Sequence, residues 1–216
     1  MTDVAIVGAG GFGREVKMLI DQINAVQQQF NFLGYFDDGI EKGTLINNYP
    51  VLGGISAINE LEAPTAIAVA IGLPSLKKKL IEQITSPLIT YPTLIHPSVI
   101  IGDDFVTIGE GTIICAQNVI TVNIEIGKYV IINLACTIGH DTQIGDFCSL
   151  MPSVNVSGEV QLHEGVYIGT GVKVINQLSV GTGTIIGAGA VVSKSLPDNC
   201  TAVGIPAKPI KFHHAE

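Results

Sequence analysis

The chain has 216 residues, enough for one large domain or two small ones, and 47% of its positions are hydrophobic although it contains no Trp. A net charge of −8 argues against a nucleic-acid backbone as partner, because such binding needs clustered Lys and Arg. No apolar run approaches a membrane span, and the first residues lack the basic-then-apolar layout of a secretory signal, so a soluble cytoplasmic protein is expected.

Residues 4–7 read as a buried strand, followed by Gly8-Ala9-Gly10-Gly11-Phe12-Gly13 and a helix expected over 14–27. This matches the G-x-G-x-x-G pattern of a dinucleotide fingerprint. A second strand over 32–36 ends in Asp37 and Asp38, where a ribose-binding acid would stand; a strand over 65–70 and a helix over 75–84 follow. The α/β portion ends near Pro92, too short for both halves of a dinucleotide fold and with no separate domain for a hydride acceptor. A phosphate grip by bare glycine amides and a helix N-terminus is therefore preferred over NAD, with a plain tight turn as the remaining reading.

From Ile108 to Val192 every sixth residue is Ile, Leu or Val, fifteen in succession. The residue after it is Gly at 109, 127, 139, 145, 169, 181 and 187. A period of six fits neither a helix nor strand alternation, but it fits a triangular coil with one side and one turn per hexad. The aliphatic residue points inward, the small residue after it permits the corner, and residues eighteen apart stack. Ile95 and Ile101 sit one residue out of register with Ile108, so 95–107 reads as an irregular first coil with a one-residue adjustment. The four cysteines (Cys115, Cys136, Cys148, Cys200) have no CxxC spacing and read as buried free thiols of a reducing compartment.

Histidine is the natural general base near neutral pH, so the five histidines are the first candidates for chemistry. His140 stands two residues past an inward aliphatic, where a side chain leaves a corner, with Asp141 adjacent to orient it and Asn133 one hexad back. Gly158 is eighteen residues on, so the next coil presents bare backbone beside His140, a gap suited to a thin ligand arm. His163 reads as solvated surface, His96-Pro97 as a shaper of the domain junction, and His213 and His214 as a polar tail. His140 and His163 lack a third histidine, so no metal site is expected.

The repeat, the Val191-Val192-Ser193-Lys194-Ser195-Leu196-Pro197 closing coil and the Ala202-to-Pro209 loop resemble the hexapeptide-repeat acyltransferases. That resemblance implies a left-handed parallel β-helix, here over 93–216, behind a small Rossmann-like α/β domain over 1–92. With the glycine loop and Tyr91-to-Ser98 junction, the whole chain is similar to the sialic-acid O-acetyltransferase and bacillosamine N-acetyltransferase group. The resemblance implies an acetyl-CoA-dependent N-acetyltransferase of a nucleotide-linked, UDP-4-amino type of sugar; O-acetylation of a nonulosonic acid, or a non-catalytic nucleotide-binding scaffold, stays open. It further implies a homotrimer with active sites between subunits, and His140, Asp141 and Asn133 as the catalytic set. Acetyl-CoA would then touch Ser149, which replaces a second histidine, and Gly158, Thr170, Ala188, Gly204 and Lys208. The acceptor would meet Gly10, Gly11, Phe12, Gly13, Asp37 and Asp38, with Phe12 standing where some members carry a polar residue.

Overall fold

The computed structural model describes residues 1–213, so His214 lies outside the described residues. The N-terminal part alternates strand and helix: β1 (Thr2–Val7), α1 (Gly11–Val26), β2 (Phe30–Phe36), β3 (Leu45–Ile46), β4 (Tyr49–Gly53), a 3₁₀ turn (Ile55–Glu60), β5 (Thr65–Val69), α2 (Pro74–Glu82) and β6 (Ile89–Thr90). The sheet order is β3-β4-β2-β1-β5-β6, parallel except for β3 against β4. The direction of strand order reverses at β1, so the crevice at the carboxyl ends of β1 and β5 is where an open α/β sheet binds ligands.

Helix α1 begins three residues earlier than the sequence pattern suggested, with Gly10 as N-cap and Gly11 to Gly13 inside its first turn. Packing explains the glycine at 13: an added Cβ would stand 1.9 Å from the Gly8 carbonyl oxygen. The buried stripe Val16, Leu19, Ile20 and Ile23 covers Val4 and Ile6 on one face of the sheet. The same cluster includes Leu94, Ile113 and Ile131 of the following domain, so α1 is sandwiched between sheet and solenoid. On the other face Ala5, Val7, Ile67 and Val69 pack under Ile55 and Ile58, with Leu80 and Ile81 of α2 alongside.

From Leu94 to Val203 the chain is a parallel β-solenoid of three faces, and the strand Lys208–Phe212 then folds back antiparallel on Cys200–Val203. The junction face runs from Leu94–Ile95 through Ile131–Ile132 to Cys200–Val203; the middle face from Ile100–Ile101 through Thr137–Ile138 to Val191–Val192; the polar face from Val106–Ile108 through Gln143–Ile144 to Ser179–Val180. Strands pair eighteen residues apart, as in Thr137 with Asn155 and Gln143 with Gln161, until the last coil, where Ile186 pairs with Ala202 and Val180 with Leu196 at an interval of sixteen. Below Ile108 the interval is nineteen (Ile95 with Ile114, Ile101 with Ile120), which places the extra residue between Ile101 and Ile108, where Phe105 is 83% exposed. The hexad aliphatics from Ile114 to Val192 are all buried in one core.

The corner chemistry differs from the sequence reading. The left-handed residue is the third after the aliphatic, as at Gln117, Asn123, Ala135, Asp141 and Glu159, not the small residue directly after it. That small residue answers a different constraint, the closeness of the next coil: a Cβ on Gly139 would lie 2.6 Å from the Gly158 nitrogen. All four cysteines are buried and unbonded to one another, and burial pushes the Cys115 and Cys148 thiols up to about 12.

Between α2 and the junction face lies Lys77, 1% exposed, whose Nζ donates to the Cys148 carbonyl (3.3 Å) and the Ser149 hydroxyl (3.1 Å). Burial without a carboxylate partner lowers its amine from 10.5 to about 7. Between those two values the unfolded chain holds a proton that the folded chain has released. The burial penalty is therefore full below pH 7 and fades as the pH rises towards 10.5, giving a stability that climbs by about 1 kcal/mol per pH unit in that window. Lys77→Met should remove this slope, read as Tm at pH 7 and pH 9.5 for both proteins; an unchanged slope would contradict a buried amine.

Candidate active site

The turn from the middle face to the polar face carries Gly139, His140, Asp141 and Thr142. Thr142 is fully buried and its hydroxyl bonds the Ser157 carbonyl of the next coil (3.3 Å), fixing the end of the turn. Asp141 takes the left-handed conformation (φ 57°), tolerated by Asp better than by most residues, and its amide bonds the Val122 carbonyl of the coil below (3.1 Å). So placed, its carboxylate Oδ2 lies 2.7 Å from His140 Nδ1. Its other oxygen, Oδ1, accepts from Asn123 Nδ2 at 2.9 Å. The imidazole partner, then Asn123, hold the Asp141 carboxyl below its usual range. A charged carboxylate at Nδ1 requires that nitrogen to carry the proton, which leaves Nε2 as the basic atom.

The ring lies over Gly158, where an added Cβ would meet His140 Cε1 and Nε2 at 2.5 Å. The bare backbone is thus the seat of the imidazole itself, rather than an empty gap for a ligand arm. Half of the pair faces solvent, with side-chain exposures of 56% for His140 and 49% for Asp141.

A β-solenoid behind an α/β domain has counterparts among known proteins. Residues 3–84 match the family described as the PglD N-terminal domain. Across 147 residues the chain is 32% identical to GDP-perosamine N-acetyltransferase of Escherichia coli O157:H7; this covers 68% of the chain and 66% of that protein, just under two thirds of its length. Two solved structures match almost throughout. The acetyltransferase domain of PglB from Neisseria gonorrhoeae FA1090, in complex with acetyl coenzyme A, is 32% identical with a TM-score of 0.84 over 96% of this chain and 98% of that one. A histidine-to-asparagine variant of perosamine N-acetyltransferase from Caulobacter crescentus, in complex with CoA and GDP-perosamine, is 30% identical with a TM-score of 0.87 over 98% of both chains.

The chain belongs to the PglD-type family of hexapeptide-repeat sugar N-acetyltransferases. Against that background, the sequence-derived site residues fall into separate places. His140, Asp141 and Gly158 share one edge, termed here the histidine edge. Asn133 follows Ile132 on the other side of the middle face, on the front edge between junction and middle faces, and its Oδ1 accepts the Leu134 amide (2.7 Å) instead of reaching His140. Thr170 and Ala188 are exposed on that front edge, eighteen residues apart, and the Gly204–Lys208 hairpin closes its end. Within one chain, therefore, the structure does not bring these residues to His140.

Ser149 corrects the expected acetyl-CoA set: it is fully buried under α2 as the partner of Lys77, because the junction face is covered by the N-terminal domain. In that domain Gly10 and Gly11 are open, with nothing within 4 Å of an added Cβ, and no side chain caps α1. Asp37 spends its oxygens on the Ala9 and Gly39 amides (both 2.9 Å) and Asp38 bonds the Ile55 amide (2.8 Å), so both acids first of all hold the loops together. Phe12 is half-buried in the α1 cluster. The crevice beside these loops opens towards the solenoid: an added Cβ on Gly72 would lie 3.9 Å from Met151 Cε. His163 and His213 are not merely solvated; they bond Ser179 (3.1 Å) and Thr201 (2.8 Å). No group of three His, Cys, Asp or Glu side chains suited to a metal occurs among the described residues, and no helix there is long and apolar enough to cross a membrane.

Asn123 and Lys77 were missed in the sequence, although Asn123 stands one coil length before Asp141. Gly158→Ala should push the imidazole off its seat with little loss of Tm: the His140 ring resonances move by NMR while the amide spectrum of distant coils stays in place. Unmoved ring resonances would show that the contact is not tight.

Proposed function

We propose that this chain transfers the acetyl group of acetyl-CoA to the amino group of a nucleotide-linked 4-amino sugar. The observation that carries this reading is the His140–Asp141 pair, held at Nδ1 and free at Nε2 on an open edge. The solved relatives bound to CoA, acetyl coenzyme A and GDP-perosamine support the substrate classes. Nε2 takes a proton from the amine as its nitrogen attacks the thioester carbonyl. The N–C bond forms, a backbone N–H stabilises the oxyanion, the C–S bond breaks, and the imidazolium returns its proton to the departing thiolate. Gly10, Gly11 and the N-terminus of α1 grip the diphosphate through their amides, with Asp37 and Asp38 beside them. The O-acetylation alternative would use the same base on a hydroxyl.

The distribution of residues over two edges supports a site shared between subunits. If the histidine edge of one copy meets the front edge of the next, as in a homotrimer, His140 faces the neighbour's Asn133, Thr170, Ala188, Gly204 and Lys208. Acetyl-CoA would lie along that seam, and the acceptor would reach it from the crevice of the copy that supplies the front edge.

Release of CoA thiol from acetyl-CoA should be fast with one sugar among GDP-perosamine, dTDP-4-amino-4,6-dideoxyglucose and a UDP-linked 4-amino sugar, and absent with free sialic acid. His140→Ala should lower that rate by roughly 100-fold or more; a folded variant near wild-type turnover would overturn the mechanism. For the shared site, His140→Ala and the front-edge blocker Thr170→Trp should each be inactive. After mixed reassembly they should regain about a quarter of the wild-type rate, whereas sites contained within one chain would regain none.

A further inference from the structure

The outer corner residues of the histidine edge form a column of stacked polar side chains. Asn123, Asp141, Glu159 and Gln177 follow at eighteen-residue intervals, and three of them, Asn123, Asp141 and Glu159, have φ between 55° and 58°; Gln177 follows at 61°. They couple in pairs rather than as a continuous chain. Asn123 Nδ2 donates to Asp141 Oδ1 (2.9 Å), and Gln177 Nε2 donates to both Glu159 oxygens (3.3 and 3.2 Å). Each carboxylate is therefore drawn towards an amide and away from the like charge of the neighbouring coil, so Asp141 turns down and Glu159 turns up.

The consequence falls on the imidazole. With one oxygen held by Asn123, the Asp141 carboxylate has its second oxygen set at 2.7 Å from His140 Nδ1. We infer that Asn123 is a positioning residue of the reaction: by fixing the rotamer of Asp141 it fixes the Nδ1–H tautomer of His140 and keeps Nε2 as the base. This rests on the reading of His140 as the general base, and it adds a third member to the catalytic row, one coil removed from the chemistry. The charged groups beside the ring are Asp141 and, on the coil above, Glu159, occupied by Gln177; Asp104 lies two coils below, where its carbonyl receives the Asn123 amide (3.0 Å). No cation among these would replace the amide of Asn123 as a donor to Asp141.

Because residue 123 has a positive φ, Asn123→Gly deletes the side chain without straining the turn, and Asn123→Asp keeps the shape while turning the donor into an acceptor. The deciding readout is ¹⁵N NMR of histidine-labelled protein alone, with His140 assigned through His140→Gln. The wild type should show Nδ1 protonated and Nε2 bare; Asn123→Gly should give a mixed tautomer population at unchanged Tm. With acetyl-CoA and GDP-perosamine, Asn123→Gly should lower kcat roughly ten-fold while KM for acetyl-CoA stays within about two-fold. Asn123→Asp should move the acid limb of the kcat/KM profile to higher pH, since a second negative charge favours the protonated ring. Wild-type ¹⁵N shifts in Asn123→Gly would overturn the inference while leaving His140 as base. An active His140→Gln would overturn that parent reading, and the positioning role with it.

Discussion

Everything in this molecule hangs on the eighteen-residue rung. Each coil of the solenoid donates its amides to the next at fixed register, as from Gly139 to the Val156 carbonyl (2.8 Å) and from Gln143 to Val160 (2.9 Å). The interior filling is one aliphatic layer per hexad, and a one-residue slip in any coil would turn that layer outward. The chain tolerates a single extra residue, between Ile101 and Ile108, before the functional coils begin. From there to Val192 register is uninterrupted, and side chains that are remote in sequence become neighbours by arithmetic. Asn123 meets Asp141, His140 meets Gly158, Asn155 meets Thr137 (2.7 Å), and Tyr129 stacks on Phe147 (5.2 Å). The same rigidity that keeps the core dry holds the histidine and its carboxylate in one geometry without a dedicated scaffold.

The N-terminal domain is fixed by a less regular contact. Its α1 stripe and the solenoid residues Leu94, Ile113 and Ile131 share one apolar cluster, which fastens the lower coils. Higher up, α2 contributes Lys77 rather than an aliphatic, and the buried amine settles on Cys148 and Ser149. An ion here costs more than a hydrocarbon of similar size, so this part of the junction owes its stability to geometry and to the loss of the proton. The outcome is a docking that aims the β1–β5 crevice at the solenoid near Met151, instead of leaving the glycine loop facing solvent on the far side.

Much of this was legible from residue order alone, and the failures are instructive. The hexad period gave the solenoid, its stacking interval and the first-coil adjustment, because inward burial imposes a pattern that no other fold satisfies. The His140-Asp141 adjacency likewise survived folding as a 2.7 Å contact. Asn133 was grouped with them because it is one hexad away, yet one hexad is one full side of the triangle, which puts it on a different edge. The resemblance puts Ser149 in the acetyl-CoA set, and as the neighbour of an inward aliphatic it does face outward. Whether outward means solvent or a neighbouring domain depends on where α2 docks, and no local pattern encodes that. Asn123 is the opposite case: its contact with Asp141 follows from the coil length, but only when the donor and the carboxylate are considered as a stacked pair.

On the proposed function, a base that is half exposed in the single chain poses a physical question that the edge geometry answers. In water a carboxylate at 2.7 Å orients an imidazole but contributes little energy, because a high dielectric weakens the attraction and solvent competes for both groups. Thioester aminolysis also needs a site from which bulk water is withdrawn. On the proposed reading, neither requirement is met by burying His140 in its own chain, which would put a charged dyad into an aliphatic core at prohibitive cost. Both are met by letting a neighbouring copy and the two substrates cover the edge. The dyad then becomes strongly coupled only when donor and acceptor are in place, and the Asn123 bond keeps its orientation correct during the interval when it is open to solvent. On that proposal an outward-facing base on a rigid prism is a consistent solution: register supplies the precision, and assembly would supply the dry surroundings.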